Sequence, residues 1–361
     1  MLIGAGALER LVAAIFTAEG CSDAESAAIA RHLVSSNLAG HDSHGVIRVP
    51  RYVATLREGR VVKDRKLTVV TENDAMAVVD GGFGFGQSIG EQAVAFGVAK
   101  AAKSGIAIIA LRNSAHIGRI GGWAEIAAEA GFVSVHFVNV AGSMLVAPFG
   151  GVDRRISTAP FCVGVPVIGE PPIILDFATS LVAEGKVLVA SNGGKSLPAG
   201  ALIDPDGTLS SDPQSLYGPI TGPGPRNYRK GKGSIRAMGE HKGSGLAFMC
   251  EILGGALTGG GCAGPGERRV ANGMLSIYMS PQVFGSDNFF AEETRRYVAF
   301  FKSSRPASPG SEVLTPGEPE RRYRKKRLAE GVPLESETWQ AIRATALAAG
   351  LDEKRIAEIA E

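Results

Sequence analysis

At 361 residues with a formal net charge of +2, the chain is too long for one small core and too nearly neutral for a dedicated nucleic-acid binder. Hydrophobic residues make up 45% and charged residues 20%, and no apolar run reaches the roughly 18 residues of a membrane span, so a soluble chain of two or three lobes is expected. The four cysteines are scattered with no CxxC pair, which fits reduced thiols in a cytoplasmic setting better than a zinc site or a disulfide framework.

The first segment, "MLIGAGALERLVAAIF", lacks a basic leader and carries Glu9 and Arg10, so it does not read as a signal peptide. Leu8, Leu11, Val12, Ile15 and Phe16 recur at helical spacing and Gly20 stops the run. "SDAE" predicts a capping box, Ser22 to Glu25, ahead of a second helix. "VIRVPRYVATLREG" predicts a third, ending at Gly59. Strands follow in "KLTVV" and "AMAVVD", then a glycine-rich turn opens a helix in "GGFGFGQSIGEQAVAFGVAKAAKSG". "IAIIALRN", "FVSVHFVNV", "ISTAPFCVGVPV" and "PPIILDFATS" read as strands, and "GGWAEIAAEAG" as a helix. Residues 240–257 read as a helix, 274–279 and 295–302 as strands, and "SSRPASPGSEVLTPGEPE" as a loop. The tail returns to helix. Three regions are expected: a helical lobe over 1–72, an α/β domain over 73–289, and a segment over 290–361 that returns to the lobe.

The stretch "GHDSHGVIRVPRY" carries His41, Asp42, Ser43, His44 and Arg48 and admits three readings. His41 and His44 could ligate a metal, but no third ligand is near and no HExxH occurs, so no metal is expected. Asp42 or Ser43 could cap a helix starting near Val46, which explains one polar residue and not four. If that helix starts there, His44 and Arg48 share a face. A guanidinium would then grip a substrate carboxylate by two parallel hydrogen bonds while a histidine exchanges a proton with the adjacent oxygen.

Other motifs carry less alone. "GFGFGQSIG" spells GxGxxxG, but no acid ends the next strand, so a tight turn feeding a packed helix is the better reading than a Rossmann fingerprint. In "RNSAHIGRIGG", His116 follows a buried strand, Ser114 could cap the next helix, and Gly118, Gly121 and Gly122 could open backbone N–H groups to an anion. Asp176 ends a strand in "LDFATS", and Lys242 starts a helix in "GEHKGSGLAFM", where it could meet a phosphate or ribose. The run "ERRYRKKR" at 320–327 reads as a solvated face.

Together, "GHDSHGVIRVPRY", "RNSAHIG", "APFGG", "LDFATS", "GKSLPAGALIDPDGTLSSDP", "HKGSGLAFMCEIL" and "LTPGEPE" stand in the order found in the non-Rossmann malate/L-lactate dehydrogenase family, and the chain resembles that family from about residue 7 onward. Ureidoglycolate and sulfolactate dehydrogenases, diketogulonate reductase and piperideine/pyrroline-2-carboxylate reductase belong to it. The resemblance implies an α/β fold in which nicotinamide cofactor, NAD or NADP, binds on a mixed, mainly antiparallel sheet, with a helical lobe formed by both chain ends. It implies a homodimer with the active site near the subunit contact. It assigns proton transfer to the residues matching His44, with Ser43 in a relay, or to the one matching His116. Arg48, Thr158 and Lys186 match substrate-side positions. The cofactor contacts map to His116, Ile117, Gly118, Arg119 and Ile120, to Asp176, Phe177 and Ala178, to Lys242, and to Pro316, Gly317 and Glu318.

Two features bear on the substrate. Many members read "TNP" where this chain reads "STAP", so Ala159 replaces an asparagine. Lys186 in "EGKV" matches the hydroxyacid dehydrogenases, whereas the imine reductases carry an acid about there, which favours a keto substrate. The expected activity is therefore hydride transfer between nicotinamide and a small 2-hydroxy/2-oxo acid. The rivals are a cyclic-imine reductase, a metal-dependent hydrolase or lyase at His41 and His44, and a binding protein that has lost the chemistry.

Overall fold

The computed structural model describes residues 1–191, 196–220, 226–266, 269–285 and 288–360. Gly194 and Lys195, which open the "GKSLPAG" motif, lie outside them. In chain order the main elements are α1 (Ala5–Ala18), α2 (Asp23–Leu38), α3 (Val49–Arg57), β1 (Thr68–Glu72), β2 (Met76–Asp80), α4 (Gly86–Ser104), β3 (Ile106–Ser114), α5 (Gly121–Glu129), β4 (Val133–Ala141), β5 (Pro160–Val167), β6 (Glu170–Ala178), α6 (Glu184–Ser191), α7 (His241–Cys250), β7 (Ala271–Met279), α8 (Phe289–Lys302), α9 (Glu318–Glu330), α10 (Ser336–Ala348) and α11 (Glu353–Ala360).

The two ends of the chain build one helical lobe. Leu8, Leu11, Val12, Ile15 and Phe16 of α1 share a core with Ile29 and Leu33 of α2 and with Ile342, Ala346 and Ile356 from the far end. Leu2–Ile3 pairs antiparallel with Val332–Pro333, which pins the termini together. Ser22 caps α2 by accepting from the Glu25 N–H at 3.3 Å. The return half of the expected capping box is absent: Glu25 accepts from the Asp64 backbone N–H at 2.5 Å instead.

The sheet has seven strands in the order β1-β2-β3-β7-β4-β5-β6. Only β2 and β3 run parallel, joined by α4; every other neighbouring pair is antiparallel. This is the expected mixed sheet, and a Rossmann domain would need a mostly parallel one. The sheet begins at Thr68, so the sequence-based lobe boundary at residue 72 falls after its first strand. The glycines of α4 serve close packing. A Cβ on Gly86 would lie 2.3 Å from the His116 carbonyl oxygen, one on Gly90 2.6 Å from Trp123, and one on Gly97 2.3 Å from Tyr278.

Two expectations need correction. Residues 295–302 form the end of α8 and not a strand. Their aromatic and β-branched composition suits a strand, but Tyr297 and Phe301 lie one helical turn apart with their rings tilted against each other, and Glu293 pairs with Arg296 at 2.6 Å along the same helix. The basic run at 320–327 lies on α9 and is more than a solvated face. Arg321 donates to the Pro172 carbonyl at 3.0 Å, Arg324 to Ser35 at 3.2 Å, and Arg327 grips Asp42 through both terminal nitrogens at 2.6 and 3.0 Å.

Candidate active site

Asn37, buried at the end of α2, organises the histidine-rich segment. Its Oδ1 accepts from the Val46 N–H at 2.8 Å and its Nδ2 donates to Asp42 Oδ1 at 2.6 Å. The clamp draws Gly45 so close that a Cβ there would fall 2.1 Å from Asn37 Oδ1. Residues Asp42–His44 and Val46–Arg48 consequently make two 3-10 turns, and α3 starts only at Val49, with Pro50 in its first turn and no side-chain cap. The expected helix from Val46 capped by Asp42 or Ser43 is therefore not formed. Arg48 and His44 are related through the turns: Arg48 Nε donates to the Ser43 carbonyl at 2.6 Å, and Ser43 Oγ lies 3.1 Å from His44 Nδ1.

His116 joins them from the other side. It follows β3, and the Ile117 N–H donates to Asn272 Oδ1 on β7 at 3.0 Å, which fixes the loop. Its ring lies parallel to that of His44, with centroids 5.7 Å apart and planes 11° apart. Tyr52, one turn beyond Arg48 on α3, places its hydroxyl 2.6 Å from His116 Nδ1. The structure thus gathers Ser43, His44, Arg48 and His116 in one place. It adds Tyr52 and Gln87, to which the sequence pattern assigned no role; Gln87 donates to Tyr52 Oη at 3.0 Å.

Both imidazoles are held neutral. Burial, then His116 and Arg48, push His44 well below the ordinary histidine pKa. Burial, then Arg48, lower His116 to about 3. The Arg48 guanidinium makes no other hydrogen bond or ion pair to the described residues, so its terminal nitrogens remain open to an anion. His41 turns away from this group, with Nε2 3.2 Å from Glu320 Oε1. Asp42 is held by Arg327, and among the described residues no three His, Cys, Asp or Glu side chains gather as ligands.

The segments expected to hold cofactor converge on the end of β6. The Gly121 N–H at the start of α5 donates to Asp176 Oδ2 at 2.7 Å. Asp176 thereby caps α5 from a neighbouring strand. Ser114 does not cap that helix, because its hydroxyl donates to the Ala115 carbonyl. Nor are the glycine N–H groups all open to an anion, since Gly121 meets Asp176 and Gly122 donates to the Arg119 carbonyl at 3.3 Å. The Ile174 N–H donates to the Pro316 carbonyl at 3.4 Å, and Gly317 packs on Ile174. Met238, just before α7 and Lys242, donates to the Thr179 carbonyl at 2.9 Å. Glu318 is engaged by Lys302 and the Thr315 N–H, and Lys242 is exposed.

Arg119 is 2% exposed and pairs with Glu125 at 2.7 Å, yet its Nε and Nη1 have no partner among the described residues. Burial works against its charge, but Glu125 and Asp176 hold its pKa up. Burial raises the Asp176 carboxyl in turn, partly offset by His41 and Arg119. A buried cation with unspent donors beside a strand-end carboxylate suits an anionic, hydroxyl-bearing cofactor.

The remaining substrate-side candidates sit on flanking elements. The Thr158 carbonyl accepts from the Thr179 N–H and hydroxyl at 3.0 and 3.1 Å. Ala159 is fully buried. Gly185 of α6 rides on Ser43, where a Cβ would lie 2.5 Å from the serine Cβ, and the next residue, Lys186, is exposed.

The malate/L-lactate dehydrogenase family profile matches residues 3–343. The chain belongs to the malate/L-lactate dehydrogenase family. Hydroxycarboxylate dehydrogenase B of Escherichia coli (strain K12) is 40% identical over 355 residues, covering 97% of this chain and 94% of that protein. A Delta(1)-pyrroline-2-carboxylate/Delta(1)-piperideine-2-carboxylate reductase of Pseudomonas putida is 32% identical over 93% of this chain and 94% of its own length. The solved sulfolactate dehydrogenase of Methanocaldococcus jannaschii superposes with a TM-score of 0.84 at 28% identity, covering 99% of each chain. As a malate/L-lactate dehydrogenase family member the protein is an oxidoreductase, and its mixed sheet with helical lobe is shared by solved relatives.

Proposed function

We propose that the enzyme transfers a hydride between NAD or NADP and a small 2-oxo/2-hydroxy acid. The observation that carries this reading is an otherwise unengaged Arg48 guanidinium beside two parallel neutral imidazoles. Arg48 binds the substrate carboxylate, with Thr158 and Lys186 flanking the remainder of the molecule. Bound to His116–Ile120, Asp176–Ala178, Lys242 and Pro316–Glu318, the nicotinamide would supply or accept the hydride.

The proton belongs to His44. In the free enzyme Arg48 helps keep it neutral. An anion on Arg48 cancels that repulsion, so His44 gains its proton together with the substrate. In reduction it gives the proton to the nascent alkoxide oxygen; in oxidation, neutral His44 takes it from the alcohol. Ser43 Oγ steadies Nδ1 and leaves the other ring nitrogen for the substrate.

A panel of 2-oxo acids and cyclic imines, read by NADH and NADPH absorbance, tests the reading and chooses between cofactors. Reduction of imines alone would replace it with the imine-reductase alternative, against which Lys186 speaks. The proposal includes a homodimer, supported by the exposed aromatic side of α8, where Phe289, Tyr297 and Phe300 are 66%, 56% and 67% exposed. Light scattering showing a monomer would remove it. Cytoplasmic residence is supported by the four free cysteines, and no helix among the described residues is long and apolar enough to cross a membrane.

A further inference from the structure

Gln87 is buried in the first turn of α4, at 1% exposure. Its amide nitrogen lies 3.0 Å from Tyr52 Oη and 3.1 Å from the His116 carbonyl oxygen. A carbonyl oxygen only accepts, so the amide must present its NH2 here; the reverse orientation would set the amide oxygen against the His116 carbonyl oxygen. Both amide hydrogens are thereby used, one on the carbonyl and one on the phenol oxygen. Tyr52 Oη accepts from Gln87 and keeps its own hydrogen for its other neighbour, His116 Nδ1, at 2.6 Å. Nδ1 is therefore an acceptor, and the hydrogen of a neutral ring must sit on Nε2. The same chain opposes the imidazolium. A hydrogen on Nδ1 would strand the hydroxyl hydrogen of a phenol that is 6% exposed.

His44 is built differently. Its Nδ1 faces the Ser43 hydroxyl, which can rotate to donate or to accept. This ring can adopt either tautomer and can cycle through the protonated form. The charged and titratable groups around His116 are Arg48 and His44 from the turns, Tyr52 from α3 and His32 from α2.

We propose that Gln87, acting through Tyr52, is a positioning residue that fixes His116 as the neutral Nε2–H tautomer, so that His116 serves the reaction as a hydrogen-bond donor that keeps its proton. The proposal rests on the reading of this site as a carbonyl-reducing one. During reduction the carbonyl π pair moves onto oxygen and the proton comes from protonated His44, which returns to neutral. His116 polarises the same carbonyl through its N–H and loses nothing. A neutral histidine used as an electrophile is an established device for raising carbonyl reactivity.

Long-range nitrogen–hydrogen NMR of the full-length enzyme with labelled histidine tests this, with His116 assigned by the signal missing in His116→Asn. The expected wild-type result is a hydrogen on Nε2, a bare Nδ1, and no titration across the neutral range. Gln87→Met, and separately Tyr52→Phe should Gln87→Met fold poorly, should give mixed tautomers. Each should lower kcat about tenfold and move the acid limb of its pH profile, with cofactor affinity unchanged. A wild-type ring with hydrogen on Nδ1, or one that titrates near neutrality, would overturn the proposal, as would variants with an unaltered tautomer. The NMR is read without substrate. An Nε2–H ring in an enzyme that reduces no 2-oxo acid would therefore sink the activity reading and leave the Gln87 assignment supported.

Discussion

The two walls of the site are built on opposite plans. The lobe wall presents Ser43, His44, Arg48 and Tyr52 within ten consecutive residues, shaped by a single buried amide at Asn37. The sheet wall collects Asp176, Lys242 and Pro316 from three distant segments that meet at strand ends. A short segment on one clamp can hold reacting groups to the tolerance that proton transfer needs. A rim of separate segments suits a long cofactor, since each contact adds binding without having to align with the others. Chemistry should therefore fail when the lobe wall is altered, and affinity for nicotinamide when the sheet wall is.

The largest test is His44→Asn. It should lower kcat by roughly 100- to 10,000-fold while leaving the NAD(P)H Kd unchanged, measured by steady-state kinetics and fluorescence titration. A cofactor defect of similar size would erase the distinction between the walls. Next is Arg48→Lys, which keeps the charge but loses the fork. Its kcat/KM for the acid should fall by the equivalent of about 2–4 kcal/mol, and a wild-type value would mean that Arg48 does not anchor the carboxylate.

Both walls also bury neutral histidines. His32, His116 and His136 are each lowered to about 3, mainly by burial. A depressed pKa means that their contribution to stability is complete above about pH 6.5 and is lost as pH falls from there towards 3, because the unfolded chain takes up protons first. Each adds at most about 1.4 kcal/mol per pH unit to that slope. His136→Gln, in the core of the sheet, should flatten the denaturation profile between those limits, and an unchanged slope would show that His136 is not kept neutral. The smallest effect should come from Lys242→Ala on the sheet rim, a rise in cofactor Kd of about tenfold with kcat nearly unaltered. A larger loss in kcat than in affinity would move Lys242 to the chemical side.

Much of this was legible in the sequence. Helical periodicity located α1 and α2, short apolar and β-branched runs located most strands, and ordered motifs located both histidines. The geometry joining them was not. The spacing of His44 and Arg48 suggests one helical face, but the Asn37 clamp imposes 3-10 turns, and that amide, five and nine residues before its partners Asp42 and Val46, does not belong to their pattern. Tyr52 stood in a quoted motif yet gained meaning only when α3 brought it to His116. Gln87 had no signal at all, since its partners lie 35 and 29 residues away in sequence. The strand reading of 295–302 failed because composition outweighed the i, i+4 pairing of its aromatic rings.

The pairing of Leu2–Ile3 with Val332–Pro333 has a consequence for how the protein is made. The lobe core takes side chains from both termini, so it cannot close until residues beyond Ile342 have left the ribosome. The sheet strands end at Met279 and can pair earlier. During synthesis the sheet wall can therefore form before the wall that carries His44 and Arg48 is secured. The contact of Met1 with Leu334, across 333 residues, belongs to that late step and closes a long loop.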